Sequence, residues 1–381
     1  MVSIEFIDSS IGVLNPVSID NIKLVLDLRN MYVLGKVIIR DMGATMFNHI
    51  KIGATVDVRT GEGDTFDKKT RMAVLAFKKI PSPTKELTDR IEIDLVSSWY
   101  FISSTKTRAF MQSGTPMNVG NIVKDILDRD LDADRSFELD INDTEDVGHY
   151  RYQLNVKSQD FLYDILKYGT IQNLPVFLYT DLSGTIRLKG LYDFIHGTLT
   201  TEFLPMIGEV TYTDDSSQLK KEVITSYSFL SDVSRSSSAL VSHVAYEHFY
   251  DRKDYRSSIL NGTSELGNPQ VQKTTPPIHK YYDWFVTPDD AVALSANESF
   301  NMTGGAFSLM CKTMDMRTST YNLGDRIRVL LPRNSEAPTT SPNTSENIVL
   351  NEGDYIIGHI EFSYSSATGF STEYLLLQML Y

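Results

Sequence analysis

Apolar and polar residues alternate through short runs at both ends of this chain. That pattern limits the fold more than any other feature, because a period of two buries one face only if the backbone is a strand. Up to Ser104 the runs include Lys23-Leu-Val-Leu-Asp-Leu, Val33-Leu-Gly-Lys-Val-Ile-Ile-Arg, Ala54-Thr-Val-Asp-Val-Arg-Thr, Arg71-Met-Ala-Val-Leu-Ala-Phe-Lys and Asp89-Arg-Ile-Glu-Ile-Asp-Leu-Val. Asn15-Pro, Gly61-Glu-Gly-Asp and Pro81-Ser-Pro punctuate them, and such residues mark turns between strands. Strands in this number, with no long helical period, predict a small antiparallel barrel or sandwich over residues 1–104.

The period changes over residues 105–206. Val119, Ile122, Val123, Ile126 and Leu127 recur at helical spacing, and Thr115-Pro116 can start that helix. A strand, Tyr150-Arg-Tyr-Gln-Leu-Asn-Val, leads to a second helix over Ser158–Gly169. Phe161, Leu162, Ile165 and Leu166 form its apolar stripe, with Ser158 as expected N-cap and Gly169 as expected stop. A hairpin follows over 175–190, turning at Asp181-Leu-Ser-Gly. The segment reads as an α+β unit with two helices. Strands return in 207–235, at Gly208-Glu-Val-Thr-Tyr-Thr and Val223-Ile-Thr-Ser-Tyr-Ser-Phe-Leu. Residues 236–295 read as irregular and aromatic-rich, with Tyr246, Phe249, Tyr250, Tyr255, Tyr281, Tyr282, Trp284 and Phe285. Those rings either form a contact surface or pin the segment to its own domain. Residues 296–381 are β-rich again, apart from a polar loop from Pro332 to Ser345 that should be exposed.

The two β-rich ends share an order of motifs. Ile52-Gly-Ala-Thr-Val-Asp-Val answers to Leu323-Gly-Asp-Arg-Ile-Arg-Val, and Ala73-Val-Leu-Ala-Phe-Lys-Lys-Ile to Tyr355-Ile-Ile-Gly-His-Ile-Glu-Phe. Arg90-Ile-Glu-Ile-Asp-Leu-Val answers to Thr372-Glu-Tyr-Leu-Leu-Leu-Gln-Met, and Lys36-Val-Ile-Ile-Arg-Asp-Met to Ala306-Phe-Ser-Leu-Met-Cys-Lys. Identity is slight, and β proteins share such patterns by chance, so the pattern alone leaves duplication and coincidence both open. A true duplication would give two similar antiparallel barrels, 1–104 and 207–235 with 296–381, plus two smaller inserted domains, 105–206 and 236–295.

The formal net charge of −13 argues against a protein that grips nucleic acid, since that needs clustered Lys and Arg. It is compatible with a conduit that DNA slides past, and equally with an acidic protein kept soluble by its charge. No apolar run reaches the roughly 20 residues of a membrane helix, and the N-terminus has no signal-peptide pattern. Cys311, the one cysteine, excludes an intrachain disulfide and reads as a small core residue.

Chemical motifs are weak. Asp128-Arg-Asp-Leu-Asp-Ala-Asp suggests a calcium loop, but Ala133 and Leu139 stand where Gly and Glu are needed, so it reads as a solvated helix end. His243 and His248 are five apart, which misses the one-face spacing of helical zinc ligands. There is no phosphate loop and no Gly-x-Ser-x-Gly elbow. The expectation is no catalytic residue, no cofactor and no metal.

The segment from Arg108-Ala-Phe-Met-Gln-Ser-Gly-Thr-Pro-Met-Asn-Val-Gly-Asn-Ile-Val-Lys-Asp-Ile-Leu to Tyr152-Gln-Leu-Asn-Val-Lys-Ser-Gln-Asp-Phe-Leu-Tyr-Asp-Ile-Leu, then Asn173-Leu-Pro-Val-Phe-Leu-Tyr, carries a resemblance. It is similar to the baseplate hub of contractile-tailed bacteriophages and the hub-like N-terminal part of type VI secretion spike proteins. Modules opening the tail-associated proteins of long non-contractile phages are similar too. The resemblance covers the whole chain in domain order and implies a structural, non-enzymatic role. It implies a homotrimeric ring of pseudo-six-fold symmetry, joining the hexameric tail tube to a central spike while DNA passes through. Implied partners are the tube or a tube-adaptor protein, the spike, other baseplate proteins and a tape measure protein, with no membrane insertion. The implied location is the virion tail, assembled in the host cytoplasm. The sequence ends at Tyr381 without a needle or lysozyme domain, so a separate spike protein is expected. Alternative readings are a receptor-contacting tail-tip module, carried by the aromatics of 236–295, and a tail-associated peptidoglycan hydrolase.

Overall fold

The computed structural model describes residues 2–7, 11–14, 16–41, 46–60, 68–81, 88–105, 110–111, 117–131, 137–139, 152–153, 155–172, 174–199, 201–205, 220–230, 244–248, 254–255, 278–282, 293–294, 296–297, 300, 308–313, 321–332 and 350–378. The opening runs of alternation form strands Val2–Phe6 (β1), Val13–Leu14 (β2), Ile19–Asp27 (β3), Leu34–Arg40 (β4), Thr55–Thr60 (β5), Lys68–Ile80 (β6) and Arg90–Ser97 (β7). A short helix, Tyr100–Thr105 (α1), leads out of this sheet. The next elements are Phe110–Met111 (β8), Val119–Asp130 (α2), Phe137–Leu139 (β9), Tyr152–Gln153 (β10), Ser158–Leu166 (α3), Thr170–Ile171 (β11), Leu174–Thr180 (β12), Ile186–Gly190 (β13) and Leu191–Ile195 (α4). The chain then returns to strands: Thr201–Pro205 (β14), Lys220–Leu230 (β15), Val244–His248 (β16), Asp254–Tyr255 (β17), Ile278–Tyr282 (β18), Ser308–Thr313 (β19), Arg326–Pro332 (β20), Leu350–Ser365 (β21) and Gly369–Gln378 (β22).

The protein is mostly β. One 13-stranded sheet runs β2-β1-β5-β6-β7-β4-β3-β21-β20-β14-β15-β19-β22, and a further pairing of β21 with β22 closes its last six strands into a barrel. The first seven strands form a half-barrel, open among the described residues. The fold is the expected mainly β one with two similar units, refined in two ways. Among the described residues the first unit is a half-barrel, and β14 of the second runs parallel to both β15 and β20. A strand parallel to the next in sequence needs a crossover of a dozen or more residues, and residues 206–219 separate β14 from β15.

The two units are nevertheless built on one plan. The order β5-β6-β7-β4-β3 matches β20-β21-β22-β19-β15 strand for strand. In each, a glycine of positive φ (Gly53 at 82°, Gly324 at 85°) opens the first of these strands. Gly53 N–H donates to Val74 O at 2.8 Å, and Gly324 N–H donates to Ile357 O at 2.8 Å. Returning bonds run from Val74 N–H to Ala54 O and from Ile357 N–H to Asp325 O. A β-bulge follows at Leu75 in β6 and at Gly358 in β21. A second bulge sits at Asp20 in β3 and at Thr225 in β15. Five strands of like order could arise by chance; the same glycine turn and the same two bulges make a duplication the simpler account.

These marks also correct the register read from sequence. Gly53 does answer to Gly324, but Val74 answers to Ile357, so Ala73 corresponds to Ile356 rather than Tyr355. Val74 faces Leu95 and Ile357 faces Leu376, so Leu95 corresponds to Leu376, one residue from the alignment of Arg90 with Thr372. On β4, Lys36 corresponds to Met310 rather than Ala306. Each bulge adds a residue and flips the alternation beyond it, which a period-two pattern cannot locate.

A large apolar core fills both β units, from Val2, Ile4 and Ile22 to Phe203, Leu376 and Cys311. Cys311 is the small core residue expected, and burial pushes its thiol pKa far up. Within the second barrel, Phe203, Tyr321 and Tyr374 pack edge to face with centroids 5.4–5.9 Å apart. The α+β unit has its own core, in which Val119, Ile122, Val123, Ile126 and Leu127 of α2 meet Phe161, Leu162 and Ile165 of α3. Its sheet runs β11-β12-β13-β9. Residues 236–295 read as irregular, yet β16, β17 and β18 form a three-stranded sheet there. The expected strand at Gly208–Thr213, the turn at Gly61–Asp64 and most of the 332–345 loop lie outside the described residues.

Candidate functional site

Strand β21 is where the two β units become one sheet. Its residues 350–356 pair with β20, and residues 359–365 of the same edge pair with β3, while the other edge carries β22. The Gly358 bulge marks the change of partner, and Gly358 O accepts from Leu28 N–H at 3.0 Å. A side chain here is hard to fit, since a Cβ on Gly358 would lie 2.8 Å from Leu377. Two polar bridges cross the seam: His359 Nδ1 to Asp27 Oδ2 at 3.0 Å and Lys23 Nζ to Glu361 at 2.6 Å.

The sheet continues over β6, β7, β4, β3, β21, β22, β19 and β15, and the side bearing Lys36, Glu361 and Lys312 faces away from the apolar core. Lysines and carboxylates alternate across it. Lys36 and Lys78 both reach Glu92, at 2.8 and 3.0 Å, and Lys312 reaches Glu373 at 3.4 Å. Hydrogen bonds from Lys36 and then Lys78 hold the Glu92 carboxyl below the usual carboxylate range. Solvent screens these exposed pairs, so each adds little to stability. Their joint effect is a wide face of mixed sign, neither a basic groove nor an acidic cleft. Among the described residues, no three His, Cys, Asp or Glu side chains converge as metal ligands.

The hairpin β12–β13 is wedged against both units, as its fully buried β12 requires. Towards the half-barrel, Trp99 Nε1–H donates to Thr180 Oγ1 at 3.0 Å, and Thr180 Oγ1–H donates to Met31 O at 2.6 Å. Thr70 donates to Leu182 O, and the Tyr32 ring lies 4.4 Å from Trp99. Towards the closed barrel, Tyr179 O–H donates to Leu323 O at 3.4 Å. The helix after the hairpin sets Phe194 against Gly324, where a Cβ would come within 2.2 Å of the ring. The hairpin turn fits the sequence expectation. Asp181 accepts from the N–H groups of Ser183 and Thr185 and from Arg187 Nε at 2.7 Å, with Gly184 at φ 83°.

Helix ends depart from expectation. Asn118 caps α2, accepting from Asn121 N–H at 2.8 Å; Thr115 and Pro116 lie outside the described residues. Lys157, not Ser158, is the N-cap of α3. Ser158 is buried and donates to the Asp130 carboxylate, which also accepts from Arg129 Nε at 2.9 Å. The acidic run read as a solvated helix end thus contributes a buried carboxylate that ties α2 to α3, while Asp128 stays exposed beside Lys124. Gly169 serves close approach rather than a left-handed cap, since a Cβ would lie 2.4 Å from Val176. Ser158→Ala is expected to cost about 2 kcal/mol, because a buried carboxylate loses a hydrogen bond; urea melts check it, and no change would remove the tie. His243 lies outside the described residues, and His248 ends β16.

Compared with solved structures, the chain has the fold of phage tail proteins and type VI secretion spike proteins. A tail protein from Neisseria meningitidis MC58 matches with a TM-score of 0.63 at 11% identity, over 99% of this chain and 95% of that one. The 43 kDa tail protein of prophage MuSo2 from Shewanella oneidensis matches with a TM-score of 0.60 at 11% identity, over 99% and 97%. An E. coli type VI secretion component, described as structurally similar to the T4 bacteriophage tail proteins gp27 and gp5, gives a TM-score of 0.50 at 10% identity, over 99% and 76%. No protein-family model matches the sequence. No curated protein is significantly similar to it.

Proposed function

We propose that this chain is a structural, non-catalytic hub subunit of a phage tail baseplate, acting as a homotrimer. The observation that carries this reading is the duplicated β unit fused into one continuous sheet. A trimer of a duplicated subunit presents six similar units in a ring, so it can dock on a hexameric tube with a contact that repeats every half subunit. Residues 1–104 form the first unit, and 207–235 with 296–381 the second; the pairing of β14 adds 201–205 to the second. Residues 105–206 and 236–295 are insertions. The polar sheet face lines the ring, and its alternating charge lets DNA pass without holding it. Fold likeness to tail and type VI secretion proteins supports the tail location, with the tube or an adaptor, the spike, neighbouring baseplate proteins and a tape measure protein as partners.

Light scattering on the purified chain tests the ring. The expected mass is three times 43.0 kDa. A clean monomer at micromolar concentration would overturn the reading.

A further inference from the structure

We propose that copies of this chain join through a second seam, in which Lys78–Ile80 of β6 pair antiparallel with Ser228–Leu230 of β15 in a neighbouring copy. This rests on the ring reading and deepens it by naming the contact. The argument begins at the internal seam. There, β3 of the first unit pairs through residues 21–27 with residues 359–365 of β21 in the second. The shared bulges and glycine turn make β15 the counterpart of β3, and β6 the counterpart of β21. Each unit therefore carries both halves of the seam, and the chain uses one of each.

The other two halves remain. Strand β6 pairs with β5 through Lys68–Ala73, and among the described residues no strand continues along that edge over Lys78–Ile80. Strand β15 pairs with β14 through Lys220–Ile224, and among the described residues no strand continues along that edge over Ser228–Leu230. These are the positions that are occupied at β21 and β3.

The chemistry of the edges fits. Val223-Ile-Thr-Ser-Tyr-Ser-Phe-Leu carries no charge and no proline, and Thr225–Ser228 are exposed. An uncharged exposed edge is a template for another strand, and stable monomers guard such edges with lysine, proline or a cover. Strand β6 does bear lysines, but Lys78 is held by Glu92 and Lys79 by Asp89, at 3.0 and 2.8 Å, which draws their charge towards β7. Proline comes only at Pro81, beyond the proposed pairs.

The internal seam also sets the register. Glu361 faces Val25, Phe362 faces Leu24 and Ser363 faces Lys23. Transferred to the counterparts, Lys78 faces Leu230, Lys79 faces Phe229 and Ile80 faces Ser228. The two edges differ, so the contact is head to tail; it closes into a ring if the rotation per copy closes, and otherwise continues as a filament.

Cysteine cross-linking of the full chain tests this, because the native Cys311 is buried. Ile80→Cys with Ser228→Cys, oxidised and run on a denaturing gel without reductant, is expected to move most of the protein to two and three times 43.0 kDa. Lys78→Cys with Leu230→Cys is a second pair, should the first not fold. A mixture of the two single variants should give the dimer alone. Lys23→Cys with Ser363→Cys, the matching pair of the internal seam, should cross-link within one chain and not change its mass. The out-of-register pair Ile80→Cys with Val223→Cys should stay single. A trimer by light scattering whose seam pairs stay single while the internal pair closes would overturn the seam and leave the ring reading standing. A monomer would overturn both.

Discussion

Gly324→Ala is expected to cost about 3 kcal/mol, against about 1 kcal/mol for Gly53→Ala. The two glycines hold the same place in the two β units, with φ of 85° and 82° and the same hydrogen bond to the following strand. The left-handed backbone penalises an L side chain equally at both. Their surroundings differ. A Cβ at Gly53 meets nothing within 4 Å, whereas one at Gly324 would press into the Phe194 ring at 2.2 Å. The excess at Gly324 therefore measures how tightly the α+β unit is seated on the closed barrel. Paired urea melts read it directly, and equal losses at the two sites would contradict the seating.

The junction with the half-barrel should be still more sensitive. Trp99→Ala removes a fully buried indole and is expected to cost about 3–5 kcal/mol. It also takes the donor from Thr180 and the packing from Tyr32, whose hydroxyl is hydrogen-bonded to Ser103 at 2.6 Å. Trp99→Phe keeps a ring against Tyr32 but loses the N–H and part of the buried ring volume, so about 2–3 kcal/mol is expected. Because Trp99 belongs to the core of the α+β unit while standing just after β7, the alanine variant should also split unfolding into two steps. Separate transitions by near-ultraviolet and far-ultraviolet circular dichroism would report that split. A single, barely shifted transition would mean that Trp99 does not couple the two parts.

What the sequence made legible follows from the range of each interaction. The helical stripe from Val119 to Leu127 and the alternation in Arg90–Leu95 are local, and both are found as expected. The match of Gly53 with Gly324 was readable because a turn of positive φ keeps glycine at both places, although the turn itself was not read. Bulges at Asp20, Leu75, Thr225 and Gly358 were not, since each depends on the partner strand rather than on residue type. The seam itself joins Asp27 to His359, 332 residues apart, and no local pattern announces such a pairing. Ser158 and Asp130 show the same limit. Ser158 reads as an N-cap and Asp130 as part of a solvated helix end, yet both are buried and bonded to each other across the two helices.

Strand β21 has a mechanical consequence. Rungs to β3 run along residues 359–365 and rungs to β20 along 350–356, so a single backbone carries both halves of the molecule on one edge. Pulling the halves apart along that strand loads its rungs together in shear instead of unzipping them one at a time. Separating the halves along this strand therefore requires several rungs to break at once.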